Sequence, residues 1–408
     1  MSADIGLGHV GAGEGAALAP AQHRRDQRRI GDQYRHGAVP SRFLAACESA
    51  VRFGSKDLKY YGVLLIHFFL INIAQAHENQ TIAMTGEPSM AHDDYETIEL
   101  ALLPPTLPGH PRGPIDPGTW LSQDHLSGNW YGLRGQLSDQ GIMIESSIVA
   151  DGSKNLKGGE NVHGETFRHL YDLNVTFDLE QLLGWQGATV FLDFYNQHGA
   201  DGSEDTGDIQ AYSNVDAPDR TQLAEVWIQQ VLIEESLEIK FGKMDSNADF
   251  AYVDNGGEFI NSSAGFSPTI ALLTYPETAV GVVLFSNPGE NLSANFGVYD
   301  GAAQEGITTG TRGFSTWFDS SPSDLLLIGE VAVTWDDDNL PGRIGVGGWR
   351  HTGRFDKFDG GAEHGTNGLY FVCDKALSKE NPDDPEDDQG TSFFVQYGLA
   401  DQDVMEIE

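Results

Sequence analysis

The chain has 408 residues, with 61 Asp and Glu against 24 Lys and Arg and a formal net charge of −37. Charge of that sign and size excludes a nucleic-acid binder, which needs basic patches to displace counterions, and it disfavours docking on anionic lipid surfaces. Past residue 76 no stretch reaches the roughly 18 apolar residues of a membrane helix, while 49 glycines and 10% aromatic residues suit turns and strands.

Residues 1–50 are rich in Gly, Arg and Ala without periodicity, and read as an upstream extension. A secretory signal follows over 51–76. Lys56 and Lys59 precede the apolar run Tyr60 to Ile71, and Ala74-Gln75-Ala76 has the small-residue form of a cleavage site. The expected mature start is His77, with Val51 as the candidate initiation codon. Leu44-Ala45-Ala46-Cys47 has the form of a lipoprotein box, but the preceding residues are too charged to enter a translocon. Residues 77–127 are acidic and then Pro-rich, as in a linker. Cys47 goes with the leader, so no disulfide framework is expected. Cys373 alternates with Leu369 and Phe371, as a lipid-facing or core thiol would.

From residue 128 onward the pattern changes to alternation. Strands are predicted over 142–150, 169–179, 188–197, 222–232, 236–244, 279–286, 291–300, 324–335, 342–351, 367–377 and 391–400. The cleanest is His169–Leu179, with Tyr171, Leu173, Val175 and Phe177 on one face and Asp172, Asn174, Thr176 and Asp178 on the other. Some connections are short, while Gly199–Asp219, Gly301–Ser323 and Ser378–Gly390 are long and acidic. Asp245–Tyr275 is the longest stretch without alternation, and in a pore such a segment folds inward. An exported chain of this kind is an outer-membrane β-barrel or a soluble β-sandwich. The apolar face decides between them: a sandwich buries it, and a barrel turns it to lipid. Tyr195, Tyr299 and Trp335 at strand ends favour interfacial belts.

Particular residues resemble the OprB-type carbohydrate-selective porins of Gram-negative outer membranes. Gly128-Asn129-Trp130-Tyr131-Gly132-Leu133-Arg134, with Leu137 and Gly141, is similar to that family's opening, although Asn129 and Tyr131 stand where Asp and Gly are usual. Leu182-Leu183-Gly184-Trp185, Glu225-Val226-Trp227, Gly242-Lys243-Met244-Asp245, Phe259 to Phe266, and His351-Thr352-Gly353-Arg354-Phe355 continue the series. The resemblance implies an antiparallel transmembrane β-barrel of about sixteen strands over 128–408. Its implied function is passive diffusion of monosaccharides such as glucose across the bacterial outer membrane, with lipid as its surroundings and neither enzymatic activity nor cofactor. Eleven strands fall short of that number, so an unclosed sheet, truncated at its C-terminus, is expected. The sequence leaves open whether the pore is a monomer or a homo-oligomer.

A sugar pore needs hydrogen-bonding groups at hydroxyl height and flat aromatic faces, with affinity weak enough for release. On Leu223–Leu232, Ala224, Val226 and Ile228 mark one face, leaving Glu225, Trp227 and Gln229 for the lumen. Trp227 fits an interfacial girdle equally well. Asp249, Glu258 and Asn261 are the constriction candidates on the inward segment, with turn capping as their alternative. Lys243, His351 and Arg354 are candidates for the lumen or rim, while Arg350 has the parity of a lipid-facing residue. Asp201 to Asp208 faintly echoes a calcium loop, but Tyr212 replaces the bidentate Glu of an EF-hand. A surface sugar-binding sandwich and a carbohydrate-active hydrolase remain the alternatives, although no carboxylate pair stands out for hydrolysis.

Overall fold

A computed structural model describes residues 127–405, apart from 200–201, 209, 212, 234–235, 319–323, 338 and 382–388. The extension, the leader and nearly all of the linker expected over 1–127 lie outside the described residues. What is described falls into two units divided between Gln136 and Leu137.

In the smaller unit only residues 127–136 are described. Trp130–Gly132 makes a single 3-10 turn. The Arg134 guanidinium lies 4.3 Å from the centre of the Trp130 ring and donates to the Gly128 carbonyl at 3.3 Å and the Ser127 hydroxyl at 3.2 Å. Tyr131 stands at φ 59°. That left-handed backbone suits the glycine usual at this position in the resembling family, and a tyrosine there costs roughly 1–2 kcal/mol.

The larger unit is a meander of eleven antiparallel strands, each paired with its neighbours in sequence. They are β1 Ile142–Lys154, β2 Glu165–Asp178, β3 Ala188–Gly199, β4 Arg220–Ile233, β5 Leu237–Met244, β6 Ala279–Gly289, β7 Leu292–Asp300, β8 Leu325–Asp337, β9 Leu340–Asp356, β10 Ala362–Lys379 and β11 Gly390–Ala400. All eleven predicted strands are present, most of them longer than the alternation suggested. Among the described residues no ladder joins β11 to β1. The connections β4–β5, β6–β7 and β8–β9 are tight turns at one end, and β1–β2, β3–β4, β5–β6 and β7–β8 are longer at the other. The acidic β10–β11 connection, grouped with the long loops in the sequence, lies at the short-turn end.

Facial polarity is inverted relative to a soluble protein. On β2 the polar Thr166, Arg168, Asp172, Asn174, Thr176 and Asp178 are buried, while Phe167 is 65% and Tyr171 40% exposed. The outward rows of the later strands repeat this, with Phe296, Val331, Val333, Ile344, Val346, Leu369, Tyr397 and Leu399 exposed. A sandwich fails this test, because its greasy face would be inside. Only lipid makes such a wall stable. Among the described residues, no helix is long and apolar enough to cross a membrane.

The inner face is filled by the Asp245–Tyr275 segment. Its Phe250, Ala251, Val253, Ile270 and Leu273 pack on inward-facing Tyr299, Leu326, Ile328, Trp349 and Tyr370. Each such side chain removed from water contributes about 1.5–3 kcal/mol. Gly297 makes room at this seat, since a Cβ there would lie 2.8 Å from the Phe250 ring and 2.7 Å from that of Tyr299. Residues 259–266 bond both to the β3–β4 loop, through Asn214, and to β11, through Gln396, so the sheet curves round the segment. Tyr195 and Tyr299 lie buried on this inner face, which removes them from the expected belts. Trp335 is on the outward parity of β8 at the short-turn end, where a belt residue belongs.

Candidate functional site

Between the inward segment and the wall lies a cavity of about 860 Å³, bordered by Trp227, Gln229, Glu238, Lys240, Asp249, Tyr252, Asn255, Arg343 and Asp374. Residues of the tight turns, Asn287 to Asn291 and Asp336, also border it, so it sits on the short-turn side of the segment. Its size is that of a site for a small ligand.

Seven strands hold the segment in place over this cavity. Glu225 on β4 accepts from the Asp245 amide at 3.1 Å, and Lys240 on β5 donates to Asp249 at 2.7 Å. The Tyr299 hydroxyl on β7 donates to the other Asp249 oxygen at 3.4 Å. Glu330 on β8 accepts from the Ala251 amide at 2.9 Å. Arg343 on β9 pairs with Glu330, donates to the Tyr252 carbonyl at 3.1 Å and lies 3.8 Å from the Tyr252 ring centre. Asp374 on β10 takes the Asn255 amide and side chain, and Gln396 on β11 donates to the Ala264 carbonyl at 2.7 Å. Burial raises the Asp249 carboxyl above its ordinary range, and the Lys240 ammonium pulls it the other way.

A second loop leans on the same segment. Arg168 on β2 is 2% exposed and reaches Asp216 at 2.7 Å and Asp151 at 3.2 Å. That fixes the β3–β4 loop, whose Asn214 and Gln210 then bond to Phe259, Ile260 and Phe266 of the segment.

The sequence-predicted residues are only partly brought together. Trp227 faces inward, stacks on Phe191 at 4.9 Å between ring centres, donates to Glu225 at 3.1 Å and has the Lys240 ammonium 4.9 Å from its ring centre. Gln229 borders the cavity and bonds to Glu238. Glu225 is on the inner face but lies beneath the segment, 1% exposed. Its neighbour Ala224 does not share the outward face with Val226. β4 carries an extra residue there, because Asp193 pairs with Glu225 while Phe194 pairs with Leu223.

Four candidates stand elsewhere. Lys243 has the outward parity of β5, opposite Val226 and Val280, and its ammonium donates to the Leu223 carbonyl of β4 and to the Gly310 carbonyl of the β7–β8 loop, which covers it. His351 is inward but 1% exposed; its Nδ1 accepts from the Gly353 amide at 3.0 Å, leaving Nε2 to donate to the Gly301 carbonyl at 3.1 Å. It pins a loop rather than lining a passage. Arg354 points outward and pairs with exposed Asp356 at 3.2 Å. Asn261 is exposed and caps a turn by accepting from the Ser263 amide at 2.8 Å. Glu258 closes the 3-10 turn Asp254–Glu258, and its side chain lies outside the described residues.

Lys240, Tyr252, Glu330, Arg343 and Asp374 were missed in the sequence. Four of these are charges within strands on the polar parity, which was the available signal.

A family model described as carbohydrate-selective porin, OprB family, matches residues 165–406. Porin B of Pseudomonas aeruginosa is 28% identical over 134 residues, which is 31% of this chain and 29% of that protein. The matched stretch is thus less than a third of that relative's length. A solved structure of Pseudomonas putida OprB at high pH superposes with a TM-score of 0.59, covering 69% of this chain and 72% of that one at 19% identity. The last comparison bears on the fold alone.

Proposed function

This chain belongs to the OprB family of carbohydrate-selective porins, which are outer-membrane proteins, and from that premise we propose that it passes monosaccharides such as glucose by passive diffusion. The observation that carries the reading is the cavity of about 860 Å³ under a segment fastened to seven strands. Its border offers flat rings at Trp227 and Tyr252, amide and carboxylate groups at Gln229, Glu238 and Asp249, and cations that are already neutralised by partners. Such a surface hydrogen-bonds sugar hydroxyls and stacks on the C–H face of a pyranose, and no unpaired cation holds the sugar tightly. Family membership points to a channel rather than an enzyme.

The test is single-channel recording of the full chain in planar bilayers with sugars added on the short-turn side. Millimolar glucose is expected to interrupt the current, and a disaccharide to do so less. Conductance without interruption by any monosaccharide leaves a general porin and defeats the sugar assignment.

A further inference from the structure

β5 leaves the wall early. Its ladder with β4 stops at the pair Val226–Lys243, so Arg220 to Glu225 have β3 on one side and, among the described residues, no strand on the other. Side chains take the place of that ladder. The Lys243 ammonium donates to the Leu223 carbonyl at 2.6 Å and to the Gly310 carbonyl of the β7–β8 loop. The Thr278 hydroxyl donates to the Ala224 carbonyl, and the Gln222 amide group donates to the Pro276 carbonyl at 2.8 Å. Arg220 pairs with Glu277 at 2.6 Å, and Glu277 also accepts from the Gly310 amide at 2.8 Å. The wall is closed here by a seam of side chains.

The inward segment enters and leaves through this seam, and its two ends are tied into a neck. The Ser246 amide donates to the Leu273 carbonyl at 2.9 Å, and the Leu273 amide donates to the Ser246 hydroxyl at 2.8 Å. The Thr274 hydroxyl donates to Asp245 at 2.8 Å. Lys243 stands just before the neck and Thr278 just after it. From Lys243 the chain runs through Met244, buried in the inner core, to Asp245, which caps the turn Ser246–Asp249 by accepting from the Asn247 amide at 2.7 Å. Asp249 ends that turn and meets Lys240 at the cavity border.

Lys243 is 2% exposed on the outward parity of a wall that faces lipid. A cation buried there is costly unless its hydrogen bonds are made, and three donors on a flexible stem suit two carbonyls that no strand reaches. We infer that Lys243 and Thr278 are positioning residues of the pore, which hold the neck against the open side of β4 and thereby set the exclusion size of the passage. Neither borders the cavity. The inference rests on the porin reading above and goes beyond it, because it concerns the width of the passage and not the kind of solute.

The full chain is recorded in planar bilayers as wild type and as Lys243→Met, Lys243→Arg, Thr278→Val and Lys375→Met. Two quantities are read: the glucose concentration that half-interrupts the current, and the largest polyethylene glycol of a graded series that enters the pore. Lys243→Met keeps the length of the side chain without its donors; it is expected to raise the glucose concentration about fivefold and to admit larger polymers. Lys243→Arg, which keeps charge and donors, should stay near wild type in both. Thr278→Val should shift both in the direction of Lys243→Met, by less. Lys375 gives its ammonium to the Leu340 carbonyl at 2.6 Å at the short-turn end of the outward wall, so Lys375→Met removes a comparable bond far from the neck and should shift neither. Wild-type values in Lys243→Met overturn the inference. So do equal shifts in Lys375→Met, which show general loosening of the wall, and an Lys243→Arg variant as impaired as Lys243→Met, which shows packing rather than donors. Should Lys243→Met fail to insert, Thr278→Val decides, and wild-type values there overturn the inference. A wild-type pore that no sugar interrupts strikes the sugar reading instead, while polymer exclusion still decides the role of the neck.

Discussion

The ammonium of Lys240 lies 2.7 Å from Oδ1 of Asp249 and 4.9 Å from the centre of the Trp227 ring. One side chain thus ties the inward segment to β5 and closes one side of an aromatic face. The position of the segment and the exposure of the Trp227 face are coupled through it.

The raised Asp249 carboxyl gives this anchor a pH signature. An acid protonated more readily folded than unfolded contributes most below the ordinary aspartate pKa, and that contribution is lost as pH rises through the raised value. Asp249→Asn is therefore expected to flatten the acid side of the thermal stability profile, read as the unfolding midpoint at several pH values between 4 and 7. An unchanged profile removes Asp249 as its source.

Breaking the second anchor is expected to be costly. Arg343→Leu leaves Glu330, with 1% of its side chain exposed, buried without its cation, at about 3–5 kcal/mol. The segment should loosen, giving noisier current, weaker sugar interruption and faster proteolysis near Tyr252. The double variant Arg343→Leu, Glu330→Leu is expected to recover much of the stability, which separates an orphaned charge from a general packing loss.

The cavity's charge predicts its ion preference. Glu238, Asp249, Asp254, Glu290, Asp336 and Asp374 border it against Lys240, Arg343 and Lys379. Fixed carboxylates in excess concentrate cations. A salt gradient across a bilayer is expected to give a reversal potential of weak cation selectivity, reduced in Glu290→Gln. Anion selectivity contradicts the assignment.

Trp227→Leu is expected to weaken glucose interruption roughly three- to tenfold, the range of an aromatic contact of about 0.5–1.5 kcal/mol. Single-channel conductance should change little, because Phe191 and the segment still hold the wall.

Strand number and order were legible because each strand separates lipid from water with a period of two. The inward fold of Asp245–Tyr275 was legible too, since a long unpatterned stretch between two strands has few places to go. Site residues were not, for two physical reasons. Parity tells which face a residue occupies but not whether a loop covers it, so Glu225 and His351 face inward yet are sealed. And parity can shift within a strand: Ala224 changes the phase of β4, and the outward placement of Lys243 becomes clear only from its pairing with Val280.

That shift at Ala224 makes β4 two messages read in opposite frames. Below it Glu225, Trp227 and Gln229 face the lumen; above it Arg220 and Gln222 do, while Leu223 meets lipid. Were this one alanine paired in the regular ladder instead of bulged out of it, half of the strand would turn inside out, presenting Arg220 and Gln222 to hydrocarbon. The wall therefore tolerates exchange of single side chains far better than a slip of a single unit of register, and its grammar is one of counting rather than of chemistry.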